Sequence, residues 1–389
     1  MNRFLFSLAV VIALAGQPAV AQSWDSSYWT ASWGAAPAAP SPEAGTHTFN
    51  NQTLRLVVQS SIGGNRVRIR LSNELGSTPL RIGAARIGLR AQGSDVAPGT
   101  DRALTFGGRP SVTIPAGAPA LSDPVELHLP PLAQVAVSLY LPGKVQSTTL
   151  SQARQAGYVS PGGDHTASAS LPVQRTIAAW PFLTALEVDS MNGAVVMLGD
   201  TLTDGVRSPA ARLAVVNRGI RGNRLLSDDP ARPLAGRSAL ARFERDVLST
   251  SGVRHVVLQV GIEDIGNSPA ANPVTLEDMV AGYRQLIARA HAARIAVIGT
   301  TLAPFEGAAF YSIEKETLRQ AVNAWIRSSG EFDAVFDADR VLRDPARPSR
   351  LLPAHDSGDH LHPSERGVQV LGEAAVSVIV GSAAMPPTR

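Results

Sequence analysis

Apolar residues in this 389-residue chain change their spacing near Met191, and the change divides it into two kinds of fold. From about Trp24 to Ala178 the spacing is two. Val67-Arg68-Ile69-Arg70-Leu71 and Val125-Glu126-Leu127-His128-Leu129 alternate strictly, and Val135 to Leu141 alternates more loosely. Period two sets one strand face on a core and the other in water. Turn-forming stretches separate the runs: Gly63-Gly64-Asn65, Gly107-Gly108 and Pro115-Ala116-Gly117. Many short strands with regular turn signals predict an all-β sandwich or jelly roll over 24–178.

After Met191 the apolar runs lose their alternation. Ala194 to Leu198, His255 to Val260 and Ile295 to Leu302 read as strands buried on both faces. Helical patterns lie between and after them. Leu276, Met279, Val280, Tyr283, Leu286, Ile287 and Ala290 share one face, with Thr275 and Asp278 placed as a capping pair. Leu318, Val322, Trp325 and Ile326 repeat the helical spacing. Residues 192–389 are therefore expected to form an α/β domain with a parallel sheet covered on both sides, its ligand site at the carboxyl ends of the strands. The stretch 179–191, with Trp180 and Phe182, reads as a packed connector.

Residues 1–21 read as a cleaved export signal. Asn2 and Arg3 precede an apolar run from Phe4 to Ala15, and Ala19-Val20-Ala21 is a small-x-small cleavage pattern. The run is shorter than the ~20 residues a membrane span needs. The expectation is a secreted or periplasmic protein with no membrane span. The chain has no cysteine, which excludes disulfides, thiolate metal sites and cysteine nucleophiles. Its net charge is +3, carried mostly by scattered arginines, and no run of like charge points to nucleic acid.

Two stretches of the second half carry chemistry. The first strand runs into Gly199-Asp200-Thr201-Leu202-Thr203-Asp204-Gly205, a tight turn able to present a side chain at the sheet rim. Such a stretch can also be an ordinary strand-to-helix turn. Near the C-terminus, Asp359-His360-Leu361-His362-Pro363 places an aspartate three residues before a histidine. That spacing lets a carboxylate orient an imidazole as a general base, although a His- and Asp-rich loop can also be a solvated turn. His355, Asp356, Asp359, His360 and His362 crowd one segment, which raises zinc as a further candidate. Phe305, Phe310 and Tyr311 either line a pocket or pack within their own loop, whereas His255, His291, Trp180 and Trp325 read as structural.

In this order the pieces resemble the SGNH/GDSL hydrolase family, in its secreted bacterial form with a β-rich domain in front. The Gly199-Asp200-Thr201-Leu202 block stands where the family has Gly-Asp-Ser-Leu. Asn217-Arg218-Gly219-Ile220-Arg221-Gly222-Asn223 resembles its second block, Gly261-Ile262-Glu263-Asp264-Ile265-Gly266 its third, and Asp359 to His362 its Asp-x-x-His. The resemblance implies a flavodoxin-like parallel sheet flanked by helices and hydrolysis of small-molecule or glycan esters, O-acyl carbohydrates first among them, without a cofactor. It assigns Thr201 as nucleophile, His362 as base, Asp359 as its orienting carboxylate, and Gly222 and position 263 as the oxyanion hole.

The chain departs from that pattern at three places. Thr201 replaces the family serine, and its extra methyl restricts χ1 in a turn built for a small side chain. Glu263 replaces asparagine, and an ionised carboxylate has no donor to offer an oxyanion. It donates only if burial or a neighbouring carboxylate such as Asp264 keeps it protonated. The crossover between Leu198 and Val215 is also short for the family, close to the dozen residues a parallel crossover requires. These departures leave a second expectation, a catalytically impaired relative that binds a glycan or a partner. Oligomeric state is not legible.

Overall fold

The computed structural model describes residues 28–38, 48–147, 155–200 and 213–383. The export-signal stretch 1–21 and the whole of 201–212, including Thr201 and most of the crossover, lie outside them.

The first half builds two antiparallel sheets. In one, Trp29–Gly34, Leu183–Asp189, Gly64–Ser72 and Val125–Leu129 lie side by side, and Pro119–Leu121 adds to Gly64–Ser72. In the other the order is Arg175–Ile177, Gly157–Gly162, Gln52–Gln59, Gln134–Leu141, Ala84–Leu89 and Arg102–Leu104. Val67, Ile69 and Leu71 of the first sheet and Leu54, Leu56 and Val58 of the second are fully buried in one apolar cluster. The alternation seen in the sequence is the reason: each strand turns one row of side chains to that cluster. Gly107, Gly108 and Gly117 take positive φ of 60°, 77° and 81° in the expected turns, conformations that β-carbons disfavour.

The stretch expected to be a connector is corrected. Leu183–Asp189 is an inner strand of the first sheet, between Trp29–Gly34 and Gly64–Ser72. Its alternation is masked because a register irregularity falls between Leu183 and Ala185, and because both of its faces are covered. Buried Glu187, paired with Arg68 at 2.7 Å, further blurs the polar and apolar rows.

The second half is a five-stranded parallel sheet ordered Ala214–Gly219, Ala194–Gly199, Val253–Gln259, Ala296–Thr300, Ala334–Phe336. In chain order this is 2-1-3-4-5, the flavodoxin-like winding. Alternate strand residues serve opposite faces. Val196, Leu198, Val256, Leu258 and Val297 join Met279, Tyr283, Leu286, Val322 and Ile326 on one side. Val195, Met197, Val257 and Ile298 pack with Leu371, Ala375 and Ile379 on the other. The first group comes from the helices Leu276–Ala292 and Ile313–Ser328. The Thr275–Asp278 pair forms a reciprocal capping box at the start of the first of these. The second group comes from the helix Glu365–Ala383. Among the described residues no helix is long and apolar enough to cross a membrane.

The two halves share a core. Trp29–Gly34 lies against Ala214–Gly219, so closely that a β-carbon on Gly34 would stand 2.6 Å from Val216. The Arg218 guanidinium, buried in that contact, donates to the carbonyls of Ala35 at 2.5 Å and Thr184 at 2.9 Å.

Candidate active site

In a sheet of this winding, ligands bind beyond the carboxyl ends of the strands where the order reverses. Here that point lies between Ala194–Gly199 and Val253–Gln259. Gly199, at φ 147°, closes the first strand, and a β-carbon there would stand 1.9 Å from the Gln259 carbonyl oxygen. The chain can only leave this sheet at a glycine. Asp200 follows, buried, its N–H donating to the same carbonyl at 3.0 Å.

Gly222, at φ 76°, lies just beyond the neighbouring strand, and its N–H donates to Asp200 Oδ1 at 3.0 Å. The amide assigned to an oxyanion thus already faces a carboxylate. Arg242, fully buried, ties this corner together. It donates to the carbonyls of Gly199 and Arg218 at 3.2 and 2.6 Å, to Asn223 Oδ1 at 3.1 and 2.9 Å, and to Asp246 at 2.8 Å.

Gly261, at φ 131°, begins the third block because a β-carbon would strike Tyr283 Oη at 2.6 Å. The short helix Ile262–Gly266 then buries Glu263 and Asp264. They face different ways. Asp264 accepts the N–H groups of Leu225 and Leu226 at 2.7 and 2.9 Å, and burial pushes its pKa up to about 6 against those bonds and Arg224. Glu263 Oε2 accepts from Asn267 Nδ2 at 2.7 Å and from Arg232 Nη1 and Nη2 at 3.3 and 3.2 Å. Burial raises the pKa of Glu263 first, and the Asp200 carboxylate raises it further, while Arg232 and His362 pull it down. The carboxylate that acts on Glu263 is Asp200, because Asp264 is turned to the amides.

The loop before Glu365–Ala383 brings in the histidine. His362 Nδ1 lies 2.6 Å from Asp359 Oδ2, and the side chains are 23% and 49% exposed. Asp359 Oδ1 accepts the N–H groups of Leu361 and His362 at 3.0 and 2.8 Å and the Ser357 hydroxyl at 3.0 Å. Burial opposes it, but these bonds and the His362 side chain hold the Asp359 carboxyl well below its usual range. The carboxylate leaves His362 its Nε2 for a proton from another group. His362 acts electrostatically on Glu263 in the sense opposite to Asp200, lowering its pKa where Asp200 raises it.

The crowded His/Asp segment divides into pairs. His360, at φ 62°, binds Asp356 Oδ2 through Nδ1 at 2.6 Å, in a second dyad beside that of His362. Among the described residues no group of three or more His, Cys, Asp or Glu is placed to hold a metal ion. Phe305 is fully buried and packs with Phe310 and Tyr311 at ring distances of 5.8 and 5.3 Å, while Phe310 lies over Gly266. These aromatics pack their own loop. His291 pairs with Asp333 at 2.8 Å, Trp180 Nε1 donates to the Val57 carbonyl at 2.8 Å, and Trp325 stacks on Tyr283.

Arg232, Asn267, Arg242 and the Asp356–His360 pair were not found from the sequence. Arg232 has no motif, and it stands 31 positions from the residue it touches. Only the spacing of Asp356 and His360, four apart, carried a local signal.

A doubly covered parallel sheet with an Asp–His dyad and two glycine turns at its switch point defines a hydrolase-type α/β domain. Residues 192–370 match the family described as GDSL-like lipase/acylhydrolase. Among similar solved structures are a GDSL-like lipase from Bacteroides thetaiotaomicron and a catalytic mutant of an acetylxylan esterase from Geobacillus stearothermophilus. The first is 20% identical with a TM-score of 0.38, covering 50% of this chain and 89% of its own. The second is 21% identical with a TM-score of 0.35, covering 48% and 94%. No curated protein matches the chain.

Proposed function

We propose that the domain hydrolyses carboxylic esters, with Thr201 as nucleophile and the His362–Asp359 dyad as its base. The hydroxyl of Thr201 attacks the acyl carbonyl carbon and its proton passes to His362 Nε2. Collapse of the tetrahedral adduct breaks the ester C–O bond, and the leaving alkoxide takes that proton. Water, deprotonated in turn by His362, releases the acid and restores Thr201. The observation that carries this reading is the 2.6 Å His362–Asp359 contact. O-acyl groups on carbohydrates are the substrate class we put first, since a chain exported by residues 1–21 would meet them outside the cytoplasm.

The test offers purified protein aryl acetates and acetylated oligosaccharides. Wild type is expected to turn over faster than His362→Ala, and Thr201→Ser faster than wild type, because a primary hydroxyl removes the methyl that restricts χ1. Equal rates for wild type and His362→Ala would sink the proposal.

A second reading, a glycan- or partner-binding protein with impaired catalysis, is favoured by one observation: the Gly222 amide donates to Asp200. Calorimetric binding of an envelope polysaccharide, unchanged by His362→Ala and without turnover, would establish it.

A further inference from the structure

An acyl oxyanion forming at this switch point needs hydrogen-bond donors, and two of its neighbours are carboxylates, Asp200 and Glu263. An ionised carboxylate accepts only. The donor-rich group in the same corner is the Arg232 guanidinium. Its Nη1 lies 3.6 Å from the point where a β-carbon on Gly222 would stand, and both Nη atoms contact Glu263 Oε2. Its Nε is held by Asp229 Oδ2 at 2.7 Å.

A guanidinium has five N–H donors in a rigid fork. The three contacts just described use one hydrogen each on Nε, Nη1 and Nη2, which leaves one on each Nη. The Arg232 side chain is 42% exposed whereas that of Glu263 is only 5% exposed, so the arginine is the open member of the pair. Arg232 is also kept charged: burial opposes ionisation, but Asp229 and Glu263 together raise its pKa. Asn267, with its amide on the same Oε2, adds a second hold on the Glu263 carboxylate.

We propose that Arg232 is the oxyanion donor of this site, and that Glu263 is a positioning residue whose carboxylate aims the guanidinium past Gly222 toward the reacting acyl group. The inference rests on the ester-hydrolase reading above. The Glu263 carboxylate offers no donor of its own, and it is the anchor for a cation that offers two. A fixed donor aimed at developing negative charge contributes most in the transition state and little in the ground state. The signature is therefore a fall in kcat with KM nearly unchanged.

Arg232→Met keeps the apolar stem and removes every donor. With an aryl acetate it is expected to lose about a hundred- to thousandfold in kcat while KM changes by less than about threefold. Arg232→Ala serves the same purpose if the methionine variant does not fold, and thermal melting checks both. Methylguanidinium at sub-denaturing concentration is expected to restore part of the lost rate. A simple neutralising role for Arg232 is separated by Glu263→Ala, which removes the charge to be neutralised but leaves the Asp229 contact. A donor aimed by Glu263 predicts that Glu263→Ala lowers kcat toward the level of Arg232→Met with KM nearly unchanged, and a folded Glu263→Ala protein as fast as wild type or faster overturns the inference. So does a folded Arg232→Met within about threefold of wild-type kcat. In either case wild-type turnover above His362→Ala leaves the ester-hydrolase reading standing. Wild type no faster than His362→Ala overturns both.

Discussion

Gly199 and the Gln259 carbonyl meet where the two central parallel strands separate, with only 1.9 Å between that oxygen and the place a 199 β-carbon would take. The contact sets the switch point, because it forces the chain out of the sheet with Asp200 as the next residue. Gly199→Ala combines that clash with a φ of 147° that alanine avoids. It is expected to cost about 3 kcal/mol or more. Urea unfolding, read against Gly381→Ala, which meets nothing within 4 Å, measures the difference.

Arg242 and Asp246 form an ion pair with side-chain exposures of 0% and 1%. Arg245 still holds Asp246 at 2.7 and 2.8 Å, so Arg242→Met leaves that buried carboxylate with one partner fewer rather than none, and is expected to destabilise by about 1–3 kcal/mol. It also releases the carbonyls of Gly199 and Arg218, and turnover should fall in the folded fraction. Chemical denaturation and activity per folded molecule check the two effects separately. An Arg242→Met protein with wild-type stability would contradict the account.

The antiparallel and parallel halves share one apolar cluster, and Arg218 bridges them with its guanidinium. Calorimetry of the full chain should therefore show a single cooperative transition. A chain beginning at residue 192 would expose Val216 and orphan Arg218, and it is expected to be insoluble or molten. Two resolved transitions would show that the halves fold independently.

Asp359→Asn removes the acceptor that fixes the His362 tautomer. Under the proposed mechanism kcat should fall by up to about 10⁴-fold, with the backbone held by Leu361 and His362 largely intact. Steady-state kinetics on an aryl acetate tests this, and an unchanged kcat would remove Asp359 from the machinery.

Asp337 sits beside Arg327 at 2.7 Å and accepts from the Thr301 hydroxyl and the Arg340 N–H. Burial opposes ionisation, yet these bonds bring its pKa down to about 2. A carboxyl depressed in the folded state adds stability that is complete above its unfolded value of about 3.9 and is lost as pH falls through the folded value. Asp337→Asn should therefore lower Tm by its full amount at pH 5 and above, and the gap to wild type should shrink toward pH 2. A gap that widens with acid would show the sign to be wrong.

Much of this molecule was legible in one dimension because its cause is local. Period two in Val67 to Leu71, the Thr275–Asp278 cap and the doubly apolar Ala194 to Leu198 each reflect a rule acting within a few residues. The same holds for Asp359 and His362, whose three-residue spacing suffices to bring them together. Leu183–Asp189 was hidden because its polar positions are buried by a second layer and a bulge breaks its rhythm. Glu263 was legible as an oddity but not as half of a pair, since its partner lies on a loop far away in the chain.

By itself, then, the sequence determined the two fold classes, the order of the blocks and the Asp359–His362 dyad, because hydrophobic period, glycine turns and short-range hydrogen bonds are written in neighbouring residues. Only the tertiary structure decided that Asp200 takes the Gly222 amide, that Asp264 turns away from Glu263, and that Arg232 meets the Glu263 carboxylate. Those pairings depend on which buried charges the folded sheet brings within a few ångströms. No local spacing encodes that proximity.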